Sequence, residues 1–197
     1  RSWARAAASF PTFELLEQSR LPVRIIFACL PLLLLATGCE KVAEVDAPRK
    51  YAKDGIAFDY PGNWTVSEEA FPDLNWKLID VESPGDAFVM ITVFGFEDGS
   101  TLREYVKSFL EEIEMPVGKV ENLELAEITA KGKAGILKGL RNRMQLSLMG
   151  VNVPHTQEFY RIERTEGVVY VVCQSAEEDL KMTGPAFKQI LGSITVD

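Results

Sequence analysis

Three cysteines and a single histidine are the residues in this 197-residue chain best suited to nucleophilic or metal chemistry. Cys39 follows Ala36-Thr37-Gly38, small side chains of the kind a processing peptidase can seat. Before them lies an apolar run over residues 25–36, and before that Arg24. A cationic start, a greasy core and a small-residue cleavage site form the order of a secretory signal. The apolar run is 12 residues long and holds Pro31, well short of the ~20 that cross a bilayer as a helix. His155 sits between Pro154 and Thr156 and reads as a surface residue at a strand start. With no second histidine, a His-rich metal site cannot form, and any Ser-His-Asp or Cys-His arrangement must use His155. Cys173 ends an apolar run and reads as a buried, unreactive thiol. No Gly-Lys-Ser/Thr phosphate loop or dinucleotide fingerprint occurs, so no cofactor, metal or catalytic residue is expected.

The stretch from Arg24 to Cys39 resembles the signal peptide and lipobox of bacterial lipoproteins, with Ala36 in the place more often held by Leu or Val. That resemblance implies diacylglyceryl transfer to Cys39, cleavage before it and acylation of the new amino terminus. The chain then divides into an upstream or mis-started segment (1–20), a lipoprotein signal peptide (21–38), a tether (39–50) and a domain (51–197). The tether reading rests on a polar composition with Pro48 and no hydrophobic period. With Cys29 in the signal and Cys39 lipidated, Cys173 stands alone, and no intramolecular disulfide is available to the mature domain.

Charge narrows the partners. The first 38 residues hold four Arg and two Glu of the chain's 21 basic and 29 acidic residues, so 17 basic and 27 acidic remain, a net charge of −10. Such a domain is a poor nucleic-acid binder, and anionic head groups repel it. Membrane attachment is therefore expected through the acyl chains on Cys39.

The elements that carry these residues follow from periodicity. Ile56, Phe58 and Tyr60 alternate with Ala57 and Asp59, as in a half-buried strand. Pro61-Gly62-Asn63 turns the chain into a strand beginning at Trp64. Residues 76–82 form another strand, with Lys77, Ile79 and Val81 on one face and Trp76, Leu78 and Asp80 on the other. Residues 87–96 are apolar on both faces, which predicts a central strand. Thr101-Leu102-Arg103-Glu104 fits a capping box opening a helix that Pro116 ends. Its apolar face is Leu102, Tyr105, Val106, Phe109, Leu110 and Ile113. Strands are expected at 120–129, at 134–149 with a bend or break near Gly135 and Gly139, from 153 or 154 through Ile162, and at 168–173 after a hairpin at Glu166-Gly167. Ser175-Ala176-Glu177-Glu178 reads as a second capping box, before a helix disturbed at Gly184-Pro185 and stopped by Gly192. Residues 193–196 read as a short last strand. The order predicts an α+β fold: an antiparallel β-sheet flanked by helices.

The run Asp54-Gly55-Ile56-Ala57-Phe58-Asp59-Tyr60-Pro61-Gly62-Asn63-Trp64 resembles the opening of PsbP-like domains. The ending is similar too, with Gly167 to Cys173 as penultimate strand, then Phe187, Ile190 and Ser193. That family includes photosystem accessory subunits, bacterial lipoproteins similar to DcrB and a eukaryotic binder of the Ran GTPase. The resemblance implies an α/β/α sandwich that holds a partner without catalysing a reaction.

Arg141 and Arg143 alternate with Asn142 and Met144, which puts both on one sheet face. With Arg161 from the following strand they form a candidate basic strip for an acidic partner. The competing reading is a set of ion pairs with Glu158 and Glu163. Together these features point to a lipid-anchored, non-enzymatic accessory or binding domain of the bacterial cell envelope, with a protein partner and no nucleic acid. Glu40 beside Cys39 favours the outer membrane, facing the periplasm, where two membranes exist. The alternative is a carrier of a small apolar ligand or lipid, expected to show an enclosed pocket lined by Phe94, Phe96 or Tyr105. Third comes a carboxylate hydrolase, which a buried Asp/Glu cluster in a cleft would favour.

Overall fold

A computed structural model of the chain describes residues 41–95, 100–112, 119–133, 135–148 and 150–197. Among these residues ten strands and two α-helices follow in the order β1 (Arg49–Lys53), β2 (Ile56–Tyr60), β3 (Thr65–Phe71), β4 (Trp76–Glu82), β5 (Phe88–Phe94), α1 (Leu102–Glu112), β6 (Lys119–Gly132), β7 (Gly135–Leu148), β8 (Val151–Arg164), β9 (Gly167–Ala176), α2 (Leu180–Ser193) and β10 (Thr195–Val196). Seven strands make one antiparallel sheet in the order β3-β4-β5-β9-β8-β7-β6, and β1-β2-β10 make a small antiparallel sheet. The architecture is α+β.

β9 lies at the centre of the large sheet, and all ten of its residues are buried. Its β-branched run has no solvated face to alternate with, because both sheet faces are covered. On one face Val169, Val171 and Cys173 meet α2 and the small sheet through Phe58, Tyr60, Trp64, Phe187 and Ile190. On the other, Val168, Tyr170 and Val172 meet α1 through Tyr105, Val106 and Phe109. The Tyr105 ring stacks on Tyr170 at 3.8 Å and 5°, and Phe109 meets Phe159 edge-on at 5.2 Å. Tyr170 Oη also donates to the Ser100 carbonyl at 3.2 Å, fixing where the helix begins. The capping box holds: Thr101 N–H donates to Glu104 Oε2 at 2.8 Å, and Glu104 N–H to Thr101 Oγ1 at 3.3 Å. Ile113, Pro116 and Phe96 lie outside the described residues.

The small sheet is built on a tight hairpin. Asp54 and Gly55 have φ of 51° and 75°, the left-handed pair that a two-residue turn between twisted strands requires. Tyr51 Oη donates to Glu68 Oε2 at 2.8 Å, and Lys77 Nζ to Asp54 Oδ2 at 2.9 Å, so the hairpin is pinned to β3 and β4.

Several expectations need correction. The tether does not extend to residue 50: Arg49 and Lys50 belong to β1, and Ala43, 5% exposed, is part of the core. Ser175 does not cap a helix. It ends inside β9, where its hydroxyl donates to the Ala176 carbonyl at 3.1 Å and accepts from Thr183 Oγ1 at 3.0 Å. A single 3₁₀ turn over Glu177–Asp179 leads into α2 instead. That helix runs through Pro185 without a break. The bond that proline forgoes would reach the carbonyl of Lys181, an exposed residue that water can serve. β7 is likewise uninterrupted, and the irregularity falls on β6 between Asn122 and Glu124.

Gly139 has a packing reason. A Cβ there would stand 2.6 Å from Tyr160 Cε1 and 2.7 Å from the Phe159 carbonyl oxygen. Backbone cannot yield as a side-chain tip can, so Gly139→Ala should cost about 1–3 kcal/mol through overpacking. Urea denaturation midpoints of the two proteins measure it.

Candidate functional site

Cys39 lies outside the described residues, so the chain is followed from Lys41. Residues 42–45 are held between α2 and the turn before Trp64. Asn63 grips them with both ends of its amide, accepting from the Glu44 N–H at 2.9 Å and donating to the Val42 carbonyl at 3.0 Å. Gly62 N–H donates to the Glu44 carbonyl at 3.1 Å. From the helix side, Ala43 N–H donates to the Met182 carbonyl at 3.2 Å, and Gln189 Nε2 to the Val45 carbonyl at 2.9 Å. These bonds satisfy backbone groups that a free tether would leave to water.

The three candidate arginines do not form one strip. Arg141 and Arg143 share the face of β7 that looks toward α2, as their spacing predicts. Arg161 projects from the opposite face, where its guanidinium lies 6.0 Å from the Tyr170 ring centroid and Nε donates to Tyr170 Oη at 3.3 Å. The register explains the separation: Arg141 stands opposite Glu158, three residues from Arg161 and therefore of the other parity. Each arginine meets a carboxylate. Arg141 reaches Glu158 at 2.7 Å, and Arg143 reaches Glu177 at 2.7 Å and Glu124 at 3.7 Å. Arg161 pairs with Glu163 along its own strand. Hydrogen bonding and attraction from Glu177 raise the Arg143 pKa, and the same bond lowers that of Glu177. The side chains of Arg141 and Arg143 remain 46% and 50% exposed, so these pairs are surface pairs of small stabilising value.

His155 is not a surface residue. It is 8% exposed on β8, opposite Met144 and Ala176, with Nδ1 3.1 Å from the Val153 carbonyl. A carbonyl only accepts, so Nδ1 carries the proton in that bond. Cys173 is fully buried on the α2 face, opposite Glu158 in register, while His155 belongs to the other face. The two cannot form a thiolate–imidazole pair, and burial pushes the Cys173 thiol well above its ordinary value.

A row of buried amides was not foreseen. Asn142 (1% exposed), Gln157 (0%) and Gln174 (5%) stand opposite one another across β7, β8 and β9. Asn142 Nδ2 donates to Asn122 Oδ1 at 2.8 Å and to Gln157 Oε1 at 3.1 Å, and Gln157 Nε2 to Gln174 Oε1 at 2.8 Å. Each apolar substitution in the row would strand a neighbour's amide, so the row fixes strand register. The only sequence signal was polar residues in phase with buried ones.

Asp80 is a half-buried carboxyl on β4 whose pKa is raised. Its Oδ1 has no hydrogen-bond partner among the described residues. Burial, and then the charges of Glu82 and Glu69, raise its pKa from 3.8 to about 6. Because the folded form binds its proton more tightly than the unfolded chain, stability falls as pH rises between about 4 and 6 and stays lowered above that. Two units correspond to about 3 kcal/mol, which partial exposure reduces to about 1–2 kcal/mol. Asp80→Asn should therefore stabilise the fold at pH 7, with the gain vanishing below about pH 4. Paired urea titrations at the two pH values read it directly.

Two grooves are lined by described residues. One, of about 640 Å³, lies between the start of α1 and the β6–β7 pair, with Leu102, Arg103, Glu127, Ile128, Lys138 and Leu140 among its walls. The other, of about 430 Å³, includes Asp54, Lys77, Trp76, Arg164 and Glu166. Both mix charges with apolar atoms, and neither is lined by Asp80, Phe94, Tyr105 or His155. Phe94 and Tyr105 pack against Tyr170. No group of three or more His, Cys, Asp or Glu placed to hold a metal occurs among the described residues. No helix among them is long and apolar enough to cross a membrane.

Fold and site together define an α+β sandwich whose exposed candidate arginines sit on a sheet surface. Solved structures similar to it include CyanoP, the cyanobacterial PsbP of Synechocystis, at 11% identity over 87% of this chain and 99% of its own, with a TM-score of 0.45. LpqN, involved in cell envelope biogenesis of Mycobacterium tuberculosis, is 12% identical over 76% of this chain and 90% of its own, with a TM-score of 0.40. PA94, a protein of unknown function from Pseudomonas aeruginosa, is 18% identical over 72% of this chain and 92% of its own, with a TM-score of 0.37. No protein-family model and no curated protein matches the chain.

Proposed function

We propose that the chain is a lipid-anchored, non-catalytic binding domain of the bacterial cell envelope, attached through Cys39 and contacting an acidic protein partner. The observation that carries the anchor is the ordered pattern of Arg24, the apolar run 25–36, and Ala36-Thr37-Gly38 before Cys39. Glu40, rather than an Asp, beside Cys39 supports an outer-membrane location where two membranes exist. The non-catalytic reading is supported by the lone histidine, which is buried, engaged with a carbonyl and remote in face from Cys173. The partner contact is assigned to Arg141 and Arg143, half-exposed and two residues apart on one face. A partner carboxylate would compete there with Glu124, whose contact with Arg143 is the longest of the pairs at 3.7 Å. Arg161, on the other face, is left out of that contact.

Crosslinking in the native envelope, followed by identification of the attached protein, tests this reading. Capture should persist in His155→Ala and weaken in the double variant Arg141→Glu, Arg143→Glu, since reversed charge acts on both steering and docking. Undiminished capture by the arginine variant would return both residues to structural ion pairing. Loss in His155→Ala, with the fold intact by circular dichroism, would point to a histidine-dependent site in place of the arginine contact.

A further inference from the structure

We infer that the domain is held against the bilayer in one orientation, with Val42 and the outer side of α2 facing the lipid head groups; this rests on the anchor at Cys39. The inference follows from where the folded chain begins. Two residue steps separate Cys39 from Lys41, a reach of at most about 7 Å. Ala43 is already in the core, bonded to the Met182 carbonyl of α2, and Asn63 clamps the residues on either side of it. A lipid whose chains enter the acyl region therefore pulls on a rigid point of the domain beside α2.

The surface at that point suits a lipid neighbour. Val42 is 66% exposed, three residues from the anchored cysteine, and can settle into the head-group layer. The fourteen residues of α2 hold Lys181 and Lys188 and no Asp or Glu. Lys181, Pro185 and Lys188 are exposed, at helical spacing that puts them on one side. Neither lysine makes an ion pair among the described residues. In a domain of net charge −10, turning this helix toward an anionic surface brings cations within about one Debye length, ~8 Å, of the head groups. Exposed Glu44, Asp46 and Glu178 border the same surface and oppose that attraction, so the short leash rather than charge sets the orientation. The opposite side of the sheet points elsewhere: α1 packs on the other face of β9, so its exposed Lys107 is separated from Pro185 by both helices and the sheet, roughly 20 Å or more.

The test uses the mature lipidated protein in vesicles of phosphatidylethanolamine and phosphatidylglycerol, with a fluorophore on Pro185→Cys or on Lys107→Cys and a nitroxide quencher on the lipid head groups. Cys173, 0% exposed, stays unlabelled. Quenching at 185 should exceed that at 107 by roughly fivefold or more, given the ~20 Å or more between the outer sides of α2 and α1. A Gly/Ser spacer of about 15 residues between Glu40 and Lys41, with a reach of about 20 Å, should bring the ratio toward one. Equal quenching at the two sites, with lipid on Cys39 verified by mass, would overturn the orientation alone. A ratio that the spacer leaves unchanged would overturn the short leash as its cause. Absence of lipid from Cys39 would overturn the anchor and the orientation together.

Discussion

Cys39→Ser should accumulate as an unprocessed precursor that takes up no fatty-acid label. The thiol is the only nucleophile in the sequence that the lipobox resemblance assigns to diacylglyceryl transfer, and a serine hydroxyl at neutral pH is a far weaker one. Cleavage before residue 39 depends on that modification in the proteins whose signal this one resembles, so processing should fail with it. The precursor would keep the apolar run 25–36, and gel mobility together with metabolic labelling by a fatty-acid analogue reads both effects. Normal maturation of the serine variant would contradict the anchor. For the wild type, a density gradient separating the two membranes should place the protein with the outer one.

Trp64→Ala should lower stability by about 3–5 kcal/mol, the range for truncating a buried aromatic. Trp64 is 1% exposed and meets the Phe187 ring edge-on at 6.1 Å. Its backbone N–H donates to the Pro61 carbonyl at 3.0 Å, so the ring and the turn are set by the same residue. Losing the ring would open a cavity between α2 and the small sheet and loosen the turn where Gly62 and Asn63 hold residues 42–45. The indole Nε1 is buried with no hydrogen-bond partner among the described residues. Trp64→Phe should therefore cost clearly less than the alanine variant, since it removes an unpaired donor along with part of the ring. Denaturant midpoints of the soluble domain, residues 41–197, measure both variants. A loss below about 1 kcal/mol for the alanine variant would contradict burial of this ring.

Much of the large sheet could be read from periodicity, because periodicity reports which side of a regular element faces water. In the small sheet residues 56–60 alternate as their burial does, and in the large sheet residues 76–82 form the expected strand with buried side chains on both faces. Thr101 and Glu104 are three residues apart, and the box they close depends on nothing distant. Where a position depends on a remote partner, the local pattern was silent or misleading. Ser175 has the spacing of a cap, yet the centre of the sheet claims it as strand. Residues 42–45 carry no period because their order comes from the Asn63 amide and a helix carbonyl. Arg141 and Arg143 could be placed on one face from their own strand. The face of Arg161 relative to theirs is set by the pairing of Arg141 with Glu158, a register that no single strand encodes. His155 is buried because a neighbouring carbonyl satisfies it.

The mass of the amino-terminal peptide of the mature protein, isolated from membranes, tests the central claim most directly. A peptide beginning at Cys39 and carrying a diacylglyceryl group with an amide-linked fatty acid is the expected species. An unmodified peptide beginning elsewhere, or an intact chain through residues 25–39 with a free Cys39 thiol, would contradict it.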